Sequence, residues 1–493
     1  MSKQILIRNS LTKGLVDISE LKSINMYVCG PTVYDKTHCG HARVYIFYDV
    51  IRRVLEDYFN IPVVYAMNVT DIDDKIINKA TELYGQVYGE TSNSINLENC
   101  KKVTVEFEKQ FFEIMNKLNV QKPTILTRVT EYIEQIVAYV QQIIDNGYGY
   151  IENGSVYFNN SYFASKGHCS NPFTINQNEA VDDSDNFCLW KAQKKENEPF
   201  YDVEFNGIKC SGRPAWHIEC STMASNVLNN IHIHGGGIDL LFPHHNNEIL
   251  QACAHDNTNK WAEIFTHCGH LHIAGKKMSK SEKNFITVEE FLKVYSPNVI
   301  RMYFLSHKYY ETMEIVFKND NELFVEEIDK VHTLYNKLNA FSNLKHTMSI
   351  YPDTDKFSEV EKQVVNSLVD SQKLIDYSLR NNFDFMRCFK ILEYLVDIVN
   401  DYIQTQHHLP NIIKQTHKYV IKIFSILGIE FGNMDCGTNN KLVESIIEIR
   451  DDLRSLIKDK DIDKTTKIKI YSMTDKIRDE ILPNCGITIN DLK

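Results

Sequence analysis

Two hydrophobic periods succeed one another along the first part of the chain. Asn25–Cys29 (NMYVC) is a short apolar run stopped by the turn signal Gly30-Pro31, and it reads as a strand. Phe47, Ile51, Val54, Leu55 and Tyr58 then recur at helical spacing, in a segment opened by Gly40-His41. Pro62–Met67 (PVVYAM) is a continuous apolar run, the pattern of a strand buried on both faces. Thr70-Asp71 offers a cap to the helix that follows. Strand, crossover helix and strand in that order predict a parallel sheet with right-handed connections.

Residues 102–147 read as two helices separated near Pro123, and Gly149–Phe158 (GYIENGSVYF) as a hairpin turning at Asn153-Gly154. From about 160 to 210 the chain is polar and irregular, so 120–212 is expected to be an insertion. The strand theme resumes at His232-Ile233-His234, before Gly235-Gly236-Gly237, and again near Ile264–Leu271. Beyond about residue 320 strand signals fade. Leu368, Leu374, Leu379, Ile391, Leu395 and Ile398 mark a helical domain to about 430. Asn433–Asn440 reads as a linker, and 441–480 as a pair of charged helices. The expected class is α/β: a parallel sheet interrupted by an insertion, then a mostly helical C-terminal half.

Composition narrows the function classes. In 493 residues, 43% hydrophobic and 24% charged, disorder and disulfide-stapled scaffolds are excluded. No window approaches 18 uninterrupted apolar residues, and the amino terminus lacks a signal-peptide core, so a cytosolic protein without membrane partners is expected. The net charge of −11 gives no global basic footprint, although local basic patches can still meet phosphate. The twelve cysteines are scattered.

Two short constellations carry chemistry. His38-Cys39-Gly40-His41 stands at the amino end of the first crossover helix, where free N–H groups and the helix dipole attract phosphate. Alone, such a quartet is more often two surface histidines and a turn glycine. Lys277-Met278-Ser279-Lys280-Ser281 follows a predicted strand, in a loop over Gly275–Lys283 crowded with lysines suited to a departing pyrophosphate. Alone, it would be a solvated basic loop. Together they fall on the carboxyl edge of one parallel sheet, where nucleotides bind.

These motifs resemble the HIGH and KMSKS signatures of class I aminoacyl-tRNA synthetases, with Cys39 in place of the usual isoleucine. Met26–Asp35 (MYVCGPTVYD), Asn68–Ile76 (NVTDIDDKI), Gly212–Met223 (GRPAWHIECSTM) and His234–Glu248 (HGGGIDLLFPHHNNE) resemble cysteinyl-tRNA synthetases, a likeness running from about residue 25 to 320. It implies a Rossmann-type catalytic domain over 1–119 and 213–283, a connective insertion at 120–212 and a stem-contact region at 284–345. A helical anticodon-binding bundle at 346–432 and a small C-terminal domain at 441–493 would follow.

It also implies a metal site of Cys29, Cys220, His244 and Glu248. On a helix His244 and Glu248, four apart, share a face. Spacing alone does not separate His244 from His245, and the family motif selects the former. Two thiolates, an imidazole and a carboxylate suit zinc. The implied reaction joins L-cysteine to ATP, with Mg, as an adenylate and passes it to tRNA(Cys). His38, His41, Lys277 and Lys280 would be catalytic, and Gly40, Gly236, Asp239 and Lys280 would hold ATP. Trp216 and Thr70 would face the amino acid, and a monomer is expected.

The likeness thins further on. Asn381–Phe385 matches the family's anticodon-domain pattern loosely, and Gly486–Asp491 (GITIND) lacks the Gly-Thr-rich aromatic tail. The opposite charges of 441–480 suit a solvated face better than an RNA stripe. Two other readings are a ligase that passes cysteine to a small sugar amine, and a catalytically silent RNA binder. The extensive helical half speaks against the first, and the intact motifs against the second.

Overall fold

A computed structural model describes residues 3–84, 95–169, 171–173, 186–194, 198–273, 275–278, 285–318, 323, 325–342, 357–405, 409–431, 449–450, 453–454 and 463–478. The chain forms two compact units: one of Met1–Glu326, Leu374–Phe389 and Ile426–Gly428, the other of Glu327–Lys373, Lys390–Ser425 and Ile429–Lys493.

The first unit is built on five parallel strands. In chain order the elements are β1 (Ile24–Val28), α1 (Cys39–Arg53), β2 (Val63–Val69), α2 (Leu97–Lys117), β3 (Ile125–Arg128), α3 (Ile133–Asp145), α4 (Trp216–Val227), β4 (Ile231–Gly237), α5 (Asn246–Asp256), β5 (Ala262–Cys268) and α6 (Pro297–Leu305). The sheet order is β5-β4-β1-β2-β3. From β1 the chain steps one way to β2 and β3, then returns to place β4 on the other side of β1. That reversal opens a crevice at the carboxyl ends of β1 and β4, where open α/β sheets bind ligands. Below it the two strands pair in register, Met26 beside Ile233 and Val28 beside Gly235.

The apolar run around Asn25–Cys29 becomes β1, and PVVYAM becomes the start of β2. Ile46, Val50 and Ile51 are fully buried under the sheet, and a π-helical turn at Val54–Tyr58 buries Val54 and Leu55 before the chain enters β2. His38 caps α1 in an extended conformation, its Nδ1 accepting from the backbone N–H of His41 at 3.3 Å. Thr70-Asp71 does not cap the next helix. Instead the Asp71 carboxylate accepts from the backbone N–H and hydroxyl of Thr130.

Between the two helices expected over 102–147 lies a strand. Ile125–Arg128 pairs with Ala66–Val69, so the stretch expected as an insertion from residue 120 contributes β3 to the core sheet, and α3 packs into the same core. The separate antiparallel sheet comprises 149–152, 155–158, 187–192 and 212–214. Its first two strands form the expected hairpin, with Asn153 and Gly154 at φ 50° and 78° as a tight primed turn requires.

After β5, Leu271–Ile273 pairs antiparallel with Lys276–Lys277 and parallel with Met313–Ile315. The loop expected over Gly275–Lys283 therefore begins as a strand at Lys276. The second unit is helical: Ile328–Ser342, the first turns of Glu359–Arg380, most of Phe385–Ile403, and Pro410–Ile426. Within it, the Tyr402 hydroxyl donates to Glu361 at 2.8 Å and the backbone N–H of Leu409 donates to that hydroxyl. Of the charged pair expected at 441–480, Lys464–Lys476 is a helix capped by Asp463, while 441–448 and the linker 433–440 lie outside the described residues.

Candidate active site and metal centre

Four segments bring their donors to the β1–β4 crevice. Cys29 is the residue after β1, Cys220 sits in the second turn of α4, His244 precedes α5, and Glu248 is in the first turn of α5. All four are buried. Cys29 Sγ lies 3.7 Å from Cys220 Sγ, 3.6 Å from His244 Nε2 and 3.6 Å from Glu248 Oε1. Tetrahedral zinc with Zn–S of ~2.3 Å places two sulfurs about 3.8 Å apart, so these edges fit the ion. His244 Nε2 and Glu248 Oε1 are closer, 2.7 Å, an ion-pair distance that widens if a cation comes between them.

The electrostatics suit a cation too. The hydrogen bond from Cys29 holds the Cys220 thiol down to about 6 against the opposing effect of burial. Burial alone would push the His244 imidazole down, yet Glu248 and Cys220 beside it hold its protonated form up to about 10. Burial likewise opposes ionisation of Glu248, but His244 and His234 keep its carboxyl well below the usual range.

A second group, Cys29, His234, His245 and Glu248, also lies within reach of one ion. It has one thiol where the first set has two, and His245 Nε2 in it is buried without a hydrogen-bond partner. His234 Nε2 meets Glu248 Oε2 at 2.6 Å and its Nδ1 meets the Tyr27 carbonyl at 3.1 Å, while His245 Nδ1 faces His267 Nε2 at 2.8 Å. His244 belongs to the two-cysteine set, 2.7 Å from Glu248, and His245 to the one-cysteine set. His217, whose Nδ1 stands 2.9 Å from His244 Nδ1, and His234 orient the donors from behind. Sequence reasoning missed both, since an isolated histidine beside apolar residues gives no ligand signal.

A cleft of roughly 360 Å³ opens from this centre, lined among others by Cys29, His38, Gly40, His41, Trp216, Asp239 and Met278. Trp216 stacks on His244 with ring centroids 4.4 Å apart. The His38 and His41 rings stack at 3.7 Å. A Cβ on Gly40 would lie 3.0 Å from the His38 ring and 3.3 Å from Met278, so the bare glycine lets the lysine motif approach the histidines. Gly30 is needed for a closer contact still: a Cβ there would meet the Asn68 carbonyl oxygen at 1.6 Å.

α1 organises the cleft from beneath. The Tyr45 hydroxyl donates to the carbonyl of Cys29 at 3.2 Å. The Tyr48 hydroxyl donates to the Thr266 carbonyl at 2.6 Å and accepts from the Gly236 N–H at 2.7 Å, joining the ends of β4 and β5. Gly236 is therefore engaged in the sheet and does not line the cleft. Thr70 is buried behind it, donating to Glu219 Oε2 at 3.2 Å. The backbone of Lys277 pairs with His272, and Lys280 lies outside the described residues. A larger open depression, roughly 730 Å³ between α3, α4 and α5, has a mixed polar and apolar lining and carries none of these groups.

A five-stranded parallel sheet with H-x-G-H at the head of its first crossover helix, and a lysine motif after its last strand, defines a class I aminoacyl-tRNA synthetase catalytic domain. Residues 15–323 match a family model described as tRNA synthetases class I (C) catalytic domain. Cysteine–tRNA ligases are similar along nearly the whole chain. The cytoplasmic enzyme of Dictyostelium discoideum is 36% identical over 99% of this chain and 76% of its own. The cysteine–tRNA ligase of Encephalitozoon cuniculi is 35% identical over 94% of this chain and 93% of its own. Among solved structures, Mycobacterium tuberculosis methionyl-tRNA synthetase with methionyl-adenylate shares the fold, with a TM-score of 0.59 at 12% identity over 82% of this chain and 89% of that one. The chain belongs to the cysteine–tRNA ligase family.

Proposed function

We propose that the protein activates L-cysteine with ATP as cysteinyl-adenylate and transfers it to the 3′-terminal adenosine of tRNA(Cys). In this reading Cys29, Cys220, His244 and Glu248 hold a zinc ion that selects the substrate. The carrying observation is that their centre opens, through Cys29 and Trp216, into the cleft that also holds His38, His41 and Met278. When bound, zinc would supply a soft Lewis acid that accepts a thiolate in preference to the hydroxyl of serine. Some such chemistry is needed, because pockets separate near-isosteric side chains by only ~1–3 kcal/mol.

The chain's own groups do the rest by position and charge. Trp216, 38% exposed, is the wall that closes on the amino acid. Thr70 acts from behind that pocket through Glu219. His38, His41 and the first N–H groups of α1 receive the ATP phosphates, and Asp239 at the mouth of β4 faces the nucleoside. By resemblance, Lys277 and Lys280 hold the departing pyrophosphate, with Mg bound to ATP. Among the described residues no helix is long and apolar enough to cross a membrane. By resemblance, the enzyme would act in the cytoplasm, as a monomer.

Charging of total tRNA with labelled cysteine, beside labelled serine, tests the proposal. Acylation by cysteine alone, on protein carrying about one zinc per chain by elemental analysis, is the expected outcome. No charging by folded, zinc-loaded protein would overturn it, and equal charging by serine would overturn the metal-based selection.

A further inference from the structure

Arg43 lies two residues beyond His41, on the buried face of α1, and is 2% exposed. Its Nη1 donates to the carbonyls of Gly269 at 2.8 Å and His270 at 2.7 Å. Its Nη2 donates to the carbonyls of Glu311 at 2.7 Å, Lys308 at 3.2 Å and Tyr309 at 3.5 Å. Nε is buried without a hydrogen-bond partner, and among the described residues no carboxylate pairs with the guanidinium. A buried charge is tolerated here because backbone carbonyls surround it.

The two stretches it gathers have one thing in common. Gly269-His270 connects β5 to Leu271–Ile273, the strand that pairs with Lys276–Lys277 at the head of the lysine motif. Lys308–Glu311 lies between α6 and Met313–Ile315, the other neighbour of that strand. The joint is tight. Gly269 N–H donates to the Tyr309 carbonyl at 2.7 Å, Met313 N–H to the His270 carbonyl at 2.9 Å, and a Cβ on Gly269 would sit 2.2 Å from the Glu311 oxygen. Gly269, His270 and Leu271 line the cleft together with His38 and His41.

We infer that Arg43 is a positioning residue: it fixes the separation between the histidine motif and the lysine motif by tying to α1 both backbone segments that support the lysine hairpin. The inference rests on the reading of this cleft as the ATP site. The planar fork serves one segment with each terminal nitrogen; a lysine keeps the charge but has a single nitrogen and cannot reproduce both sets of bonds.

The test compares the wild-type protein with Arg43→Met, Arg43→Lys and Gly269→Ala in cysteine-dependent ATP–pyrophosphate exchange, with active sites titrated and zinc and melting temperature measured. For Arg43→Met the expected result is a fall in kcat per titrated site on the order of 10²-fold, the scale of an ångström misplacement. KM for ATP should rise while KM for cysteine stays within about twofold, because the cysteine pocket is untouched. Arg43→Lys should recover little, and Gly269→Ala should give the same signature from the other side of the joint. A purely structural role would lower the active-site titre and melting temperature and leave kcat per titrated site unchanged. That result in the variants that fold would overturn the inference alone. No exchange by wild-type protein would bring down the ligase reading and this inference with it.

Discussion

His244 is held from two sides. Its Nε2 faces Cys29 and Glu248, and its Nδ1 faces His217, so the ring's orientation depends on a residue that touches no metal donor but His244. His217 is half-buried, and the partial burial with His244 beside it pushes its imidazole down to about 3. It therefore stays neutral, able to hold His244 in place without repelling a cation. Removing it as His217→Ala should weaken zinc binding about 10–100-fold, the usual cost of losing the group that orients a ligand. Competition with a chromophoric chelator would measure this, and unchanged affinity would show that His244 needs no support. The four side chains of the set were named from the family motifs, but Cys29 and Cys220 are 191 residues apart, so their meeting was not readable from spacing. His234 was hidden for another reason. In the sequence it is one apolar-flanked residue of a strand, and only the register with Tyr27 turns it toward Glu248.

Among elements, α1 has the widest reach. Besides its cleft contacts, it places Asp49 against Arg53 at 2.9 Å and Arg301 of α6 at 2.6 Å, and Asp49 also accepts from the Gln121 N–H at 2.8 Å. Asp49 and Arg301 are essentially inaccessible. Asp49→Ala would remove the carboxylate beside the buried Arg301 charge, so a loss of about 3–5 kcal/mol in unfolding free energy is expected. Urea denaturation of the first unit's transition reads it directly. A loss below 1 kcal/mol would mean that the carbonyls of Leu118, Asn119 and Leu427 suffice for Arg301. The helix itself was readable from its apolar spacing. β3 was not, because four residues, Ile125-Leu126-Thr127-Arg128, are too few to show a period against the helices on either side. The strand at Lys276–Lys277 was masked similarly, its lysines reading as a solvated loop although the backbone pairs with His272 and Ile273.

For the whole molecule, a metal held by Cys29, Cys220, His244 and Glu248, as proposed, would tie together distant parts of one chain. Stripping the ion with a chelator should lower the melting temperature of the first unit, and reloading with zinc should restore it. A ligand present at a thousandfold excess over its dissociation constant contributes about 4 kcal/mol to the folded state. Calorimetry before and after chelation would decide, and an unchanged transition would mean that the four donors are preformed by packing alone. The α/β class and the helical second half follow from the hydrophobic pattern, whereas the order of strands does not. It is set by long-range pairing, above all that of β1 with β4, whose partners Met26 and Ile233 come from opposite ends of the catalytic region. That pairing has a bearing on synthesis. While the ribosome has delivered only β1, β2 and β3, the central strand has one bare edge and Cys29 has no companion. The four donors can come together only once residue 248 has left the exit tunnel, so zinc uptake by a nascent chain, if they hold zinc as proposed, would report that its sheet has closed on itself.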